Sequence, residues 1–235
     1  MTLQYDLKTR PLDYIVLDDL LTPDIIEELY NWFESMTLLD PESTGAATGL
    51  SGKDLKKSYG IFVPPDNTSL IDRLMSFILR SLSEEESMEK LKSAPLFYSI
   101  FKNREGTTFS QAKGYVRSYL VASYDDGDKY ESHSDSTVIT ALLWLKTKDA
   151  DFTGGDLRFT DFDEEVEFKH NRMVIFQGPM FHEVTPVCGN GRISITTFFG
   201  EKPERIVETP MLTKSTYDSD GIDWRKEEVS AEKVI

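Results

Sequence analysis

Three residues set the chemistry this chain could perform: His133 and Asp135, two positions apart, and His182 well downstream of both. In extended backbone, residues i and i+2 project to one face. Within Tyr130-Glu131-Ser132-His133-Ser134-Asp135 a nitrogen and an oxygen can therefore be offered side by side. A second imidazole from His182 would complete a two-histidine, one-carboxylate face around a metal ion. Such a face leaves three octahedral positions open and suits a non-haem Fe(II) centre. Arg192 follows His182 by ten positions. Its guanidinium could grip the distal carboxylate of a bound 2-oxo acid through a two-pronged fork that lysine cannot reproduce.

Something must hold these residues in place, and the pattern of apolar residues says what. Up to about residue 93 the chain reads as helical support, after a short strand at Tyr14-Ile15-Val16-Leu17. Thr22-Pro23-Asp24 offers an N-cap, a proline suited to the first turn and a helix-starting acid. Ile25, Ile26, Leu29, Trp32, Phe33 and Met36 then recur at helical spacing. A second helix is expected after Asn67-Thr68, with Leu70, Ile71, Leu74, Phe77 and Ile78 on its apolar side. The glycine-rich stretch within residues 40–57 reads as a passive surface loop or as an active-site lid.

From Leu96 the period becomes that of strands: Val116–Tyr124, Val138–Leu145, Leu157–Thr160, Val166–Phe168, Met173–Phe176, His182–Val187 and Ile193–Phe199. Turn signals separate several of them, at Asp126-Gly127, Thr153-Gly154-Gly155, Gln177-Gly178-Pro179 and Gly189-Asn190-Gly191. The expected class is α+β, mainly β, with a jelly-roll or cupin-like core over about 96–200 buttressed by the N-terminal helices. Residues 202–235 read as a peripheral acidic tail, so residues 1–235 make one domain. A rolled sheet would bring His133 and Asp135, near its start, to His182 and Arg192, near its end.

Composition narrows the partners. With 26 basic and 41 acidic residues, a formal charge of −15 and a pI near 4.6, the chain would repel a nucleic-acid polyanion at long range. No apolar run is long enough to span a bilayer, and no signal-peptide pattern opens the chain. Cys188 is the single cysteine, which excludes an intrachain disulfide and fits a reducing, cytoplasmic setting. The sequence sets no oligomeric state.

Over about residues 12–200 the chain resembles the 2-oxoglutarate- and Fe(II)-dependent dioxygenases, in their prolyl 4-hydroxylase-like branch. The resemblance rests on Ile15-Val16-Leu17-Asp18-Asp19-Leu20-Leu21-Thr22-Pro23, Tyr124 and Tyr130-x-x-His133-x-Asp135. It continues through Phe152-Thr153-Gly154-Gly155-Asp156-Leu157-Arg158-Phe159 and closes with His182-Glu183-Val184-Thr185-Pro186-Val187 and Gly191-Arg192. It implies a double-stranded β-helix, iron held by His133, Asp135 and His182, and 2-oxoglutarate anchored by Arg192. The cosubstrates would be 2-oxoglutarate and O2, with ascorbate a further candidate. Tyr124 matches a tyrosine that lines the cosubstrate pocket, or it packs in the core. Ser194, two residues from Arg192, could donate to the same carboxylate or be a tolerated small residue.

Two departures from that family stand out. Trp144 occupies a strand position where many members carry tyrosine, and Lys169-His170-Asn171-Arg172 replaces a Pro-x-x-Gly turn. His170 reads as an exposed turn residue, not a fourth ligand. Asp135 argues against a halogenase, which replaces the carboxylate with a small residue. The resemblance favours hydroxylation of a prolyl residue in a peptide or protein, with release of succinate and CO2. Alternatives are a free amino acid or other small metabolite as substrate, or a non-catalytic β-barrel binding module.

Overall fold

Alternation along the strands decides the architecture. In the computed structural model, which describes residues 4–40, 56–64, 70–102 and 114–201, β-branched and aromatic runs pair into two antiparallel sheets. The larger has seven strands, in the order β1 (Asp6–Lys8), β2 (Tyr14–Leu17), β9 (Arg172–Gln177), β6 (Ile139–Gly154), β11 (Val187–Glu201), β4 (Gly114–Tyr124) and β3 (Tyr59–Val63). The smaller has four short strands: β5 (Tyr130–His133), β10 (His182–Val184), β7 (Leu157–Phe159) and β8 (Glu164–Val166). This is an open jelly-roll-like arrangement and not a closed barrel.

The strands β2, β9 and β6 of the large sheet feed two cores. Ala141, Leu143, Leu145, Ile193 and Ile195 face the helical layer of α1 (Pro23–Glu34), α2 (Leu70–Leu82), α3 (Glu85–Leu91) and α4 (Pro95–Lys102). The intervening residues Leu142 and Trp144, with Val174 and Phe176, face the small sheet and meet Leu157 and Phe159. Burying one such Leu, Ile or Phe is worth about 1.5–3 kcal/mol. The helical layer therefore stiffens the back of the sheet whose front carries polar groups.

The helices differ from expectation in detail. Thr22 is the N-cap of α1, but its hydroxyl makes no capping bond; Ile26 N–H instead bonds the Thr22 carbonyl at 3.0 Å. Only Leu29 of the expected α1 face is fully buried, with Ile25, Ile26, Trp32, Phe33 and Met36 packed half-buried beside it. In α2 the buried stripe is Ile71, Met75, Ile78 and Leu82, while Phe77 stays 44% exposed. The helix is rotated from the expected face because Met75 and Leu82 extend the i, i+4 series of Ile71 and Ile78. The strand period does not begin at Leu96: Pro95–Lys102 is helical and buries Phe97 and Phe101. Asn67-Thr68, nearly all of the stretch 40–57 and the acidic tail from 202 lie outside the described residues.

Two further differences bear on the site. Gly189-Asn190-Gly191 does not end a strand but sits inside β11, where the register against β6 slips between Asn190 and Arg192. An extra residue in one strand re-aims the next side chain. Here it turns Arg192 to the same inner face as Val187, an odd number of residues earlier. The Lys169–Arg172 turn keeps its shape without glycine, because Asn171 takes φ +62°. The Asn171 side chain also exchanges two 2.9 Å bonds with the backbone of Leu21, and Arg172 forks onto Asp18 at 2.6 and 2.9 Å.

Candidate functional site

The small sheet places the two histidines. His133 and His182 are direct cross-strand partners of β5 and β10, so their rings lie 4.3 Å apart between centroids. Asp135 follows β5 in a loop fixed by its own N–H, which donates to the Gly178 carbonyl at 2.8 Å. Gly178 permits that approach, since a Cβ there would stand 2.3 Å from the Thr137 carbonyl oxygen. His133 Nε2 and His182 Nε2 each sit 3.7 Å from a different Asp135 oxygen. All three ligand atoms lie within 4.8 Å of one another.

Hydrogen bonds fix the protonation of the two rings. His133 Nδ1 lies 2.8 Å from the Glu131 carbonyl, and His182 Nδ1 lies 2.8 Å from that of Met180. A carbonyl only accepts, so Nδ1 carries the proton and Nε2 presents a lone pair to the shared space. Burial pushes both imidazoles down to about 4, keeping them neutral at physiological pH. Thr140 donates to Asp135 at 2.6 Å, and Thr137 lies 3.0 Å from Thr140. Burial raises the Asp135 pKa, opposed by His133 and by the Thr140 bond. Two neutral nitrogens and one oriented carboxylate form a donor set that could hold a divalent transition metal.

Arg192 lies on the large sheet, paired with Tyr124 of β4 and Lys146 of β6. It is 1% exposed, yet its Nη1 has no hydrogen-bond partner. Its Nε donates to the Gly155 carbonyl at 2.9 Å, and its Cζ stands 4.5 Å from the Tyr124 ring centre and 5.4 Å from that of Phe168. Gly155 is required by this packing, because a Cβ there would meet Arg192 Cδ at 2.6 Å. Burial lowers the guanidinium to about 10, so it stays charged. A desolvated cation with an unused N–H is a receptor for an anion.

Tyr124 and Ser194 are both buried, and the two strands put them on the face of Arg192. Burial raises the Tyr124 pKa against the lowering effect of Arg192. Trp144, fully buried, is the register partner of Ser194 and stacks on Phe168. His170 stands apart from the triad, as expected, but it is half-buried and not exposed. Its Nδ1 accepts the Lys146 N–H at 3.1 Å, which holds the turn to β6.

Two residues of this region carry no clear sequence signal. Tyr130 stacks on His133 at 3.8 Å and burial raises its pKa, with Asp135 and Tyr124 adding to the rise. It thus spans the triad and the Arg192 side, and its place in Tyr-x-x-His-x-Asp was its one clue. Lys56, fully buried, lies 5.9 Å from the Tyr130 ring centre, and burial brings its pKa down to about 7. Nothing in Lys56-Lys57 tells the buried lysine from its neighbour.

Residues 119–200, which include every candidate site residue above except Lys56, match the 2OG-Fe(II) oxygenase superfamily. No curated protein matches the sequence. Among solved structures, the chain is similar to a Pseudomonas putida prolyl-4-hydroxylase, with 18% identity and a TM-score of 0.50 over 80% of this chain and 92% of that one. It is also similar to an oxidoreductase of the 2OG-Fe(II) oxygenase family from Burkholderia pseudomallei, with 14% identity and a TM-score of 0.50 over 80% and 84% of the two chains. The resemblance read from the sequence thus meets a family match over residues 119–200 and a shared fold. The superfamily is one of oxidoreductases that use Fe(II), 2-oxoglutarate and O2.

Proposed function

We propose that this chain, folded as one domain, is a 2-oxoglutarate-dependent Fe(II) hydroxylase acting on a prolyl residue in a peptide or protein. One observation supports the reading most. Two lone-pair-bearing Nε2 atoms and a carboxylate converge on one point, and a fully buried arginine with an unused N–H lies on the large sheet beside Tyr124, which packs against Val184 and Tyr130 of the small sheet.

The residues present fit the group that this activity needs. His133, Asp135 and His182 would hold Fe(II), which supplies the redox chemistry that couples 2-oxoglutarate cleavage to C–H hydroxylation. The Glu131 and Met180 carbonyls keep each Nε2 deprotonated and aimed. Thr140 holds the Asp135 carboxylate in orientation. Arg192 would bind the distal carboxylate of 2-oxoglutarate through Nη1, with Tyr124 under its guanidinium and Gly155 clearing its stem. Tyr130 covers one face of His133 and keeps water from it.

The prolyl assignment rests on the resemblance of the quoted motifs and on the fold shared with a prolyl-4-hydroxylase. The net charge of −15 would steer a basic or neutral peptide more readily than an acidic one. Incubation with Fe(II), 2-oxoglutarate, O2 and proline-containing peptides, read by mass spectrometry and succinate assay, tests both levels. A gain of one oxygen on a prolyl residue is expected. Succinate release with oxidation of free amino acids alone would overturn the peptide assignment. No 2-oxoglutarate turnover with any substrate would overturn the enzymatic reading in favour of a binding module.

A further inference from the structure

We propose that Trp144 is a cosubstrate-binding residue, its indole N–H donating to the same distal carboxylate that Arg192 engages. The inference rests on the 2-oxoglutarate reading above and deepens it. Among the described residues, four buried polar side-chain atoms have no hydrogen-bond partner, and two of them, Trp144 Nε1 and Arg192 Nη1, belong to neighbouring side chains. Leaving such donors without an acceptor is unfavourable, most of all for the charged one. A single acceptor between them would remove both costs.

The strands bring these donors together. Trp144 faces Ser194 across the β6–β11 ladder, and Arg192 lies two residues from Ser194, so all three share the inner face. Arg192 Cζ lies 5.8 Å from the Trp144 ring centre. The indole and the guanidinium are thus close enough for both to reach one carboxylate, whose two oxygens can each accept a hydrogen bond of about 2.9 Å. Phe168 packs against both partners, at 5.6 Å from the indole and 5.4 Å from the guanidinium carbon, and fixes both planes.

The chemistry of the donors selects the ligand. An indole N–H and a guanidinium only donate, whereas an ionised carboxylate only accepts and has lone pairs for both. A terminal amide or hydroxyl would set its own donor against them. The pocket therefore calls for a 2-oxo acid with a second carboxylate.

The test is calorimetric titration of the protein loaded with redox-silent Zn(II), comparing the parent with Trp144→Phe. The variant keeps an aromatic ring and loses the N–H. Binding of 2-oxoglutarate should weaken about tenfold or more, as expected for loss of a bond to a charged group. Binding of 2-oxovalerate, which lacks the distal carboxylate, should stay within about twofold. Unchanged 2-oxoglutarate affinity, or equal losses for both ligands, would overturn the role of Trp144. Failure of the parent to bind 2-oxoglutarate would instead overturn the proposed function. If Trp144→Phe does not fold, the protein carrying Trp32→Phe and Trp224→Phe keeps Trp144 as its one indole. Its 15N-bound indole proton should move on adding 2-oxoglutarate, and an unmoved resonance would refute the contact.

Discussion

Gly155→Ala would disturb the anion pocket without altering any group that is proposed to touch a ligand. The added methyl would stand 2.6 Å from Arg192 Cδ, 2.7 Å from its Nε and 3.0 Å from Val187 Cγ2, at a backbone φ of +73°. Holding an L-residue in that left-handed region costs about 1–2 kcal/mol. Forcing a methyl among packed atoms costs about 1–3 kcal/mol more. If Arg192 stays in place, stability falls by roughly 2–5 kcal/mol. If Arg192 moves to relieve the clash, it gives up its 2.9 Å bond to the Gly155 carbonyl and Nη1 swings off its line. The second route lowers the affinity for 2-oxoglutarate, by about tenfold for each 1.4 kcal/mol. Denaturant midpoints and 2-oxoglutarate titrations on Zn(II)-loaded protein would read the two effects, and a metal titration should stay within about twofold of the parent. Parental stability together with parental 2-oxoglutarate affinity would refute the claim that this glycine exists to admit the arginine stem.

Other outcomes follow from the same geometry. His133→Ala, Asp135→Ala and His182→Ala should each abolish succinate release, while His170→Ala should leave metal binding and turnover nearly intact. Arg192→Ala should cost about 2–5 kcal/mol of 2-oxoglutarate binding with little change in metal affinity, as measured by calorimetry. Thr140→Val should weaken metal binding about 10–100-fold, because the bond that orients Asp135 is lost. Both imidazoles have folded values near 4, below the ordinary 6.5, so the unfolded chain binds more protons between those limits. The metal-free protein should thus have the full contribution of these groups above pH 6.5 and lose it as pH falls through about 4, by about 1.4 kcal/mol per pH unit for each histidine. Urea midpoints across that range should show the slope, and His182→Ala should flatten it.

The site was more legible than the scaffold around it. His133 and His182 stand out because the chain has only 3 histidines, and Asp135 and Arg192 because of their spacing from those two along a rolled sheet. Trp144 was visible as a departure, but its unsatisfied N–H appears only once Phe168 and Arg192 surround it. Lys56 could not be found, because burial of a lysine depends on neighbours distant in sequence. The α2 face was misread by one helical position because Met75 and Leu82 compete with Phe77 for the interior, and a one-dimensional count gives Phe77 more weight than its 44% exposure warrants. Gly189-Asn190-Gly191 has the composition of a turn, and only the opposing Asp151 and Phe152 show that pairing continues through it.

The direct pairing of His133 with His182 has a mechanical consequence. The strands of the small sheet are three or four residues long, and β5 shares only a shifted, partial ladder with β10. A slip of one residue would send one imidazole to the opposite face. An ion gripping both rings would therefore work as a clasp on strand alignment, turning a short, interrupted ladder into a pinned seam. The amides of β5 and β10 would then exchange with solvent at rates that track metal occupancy, so this small sheet would gauge how fully the protein is loaded.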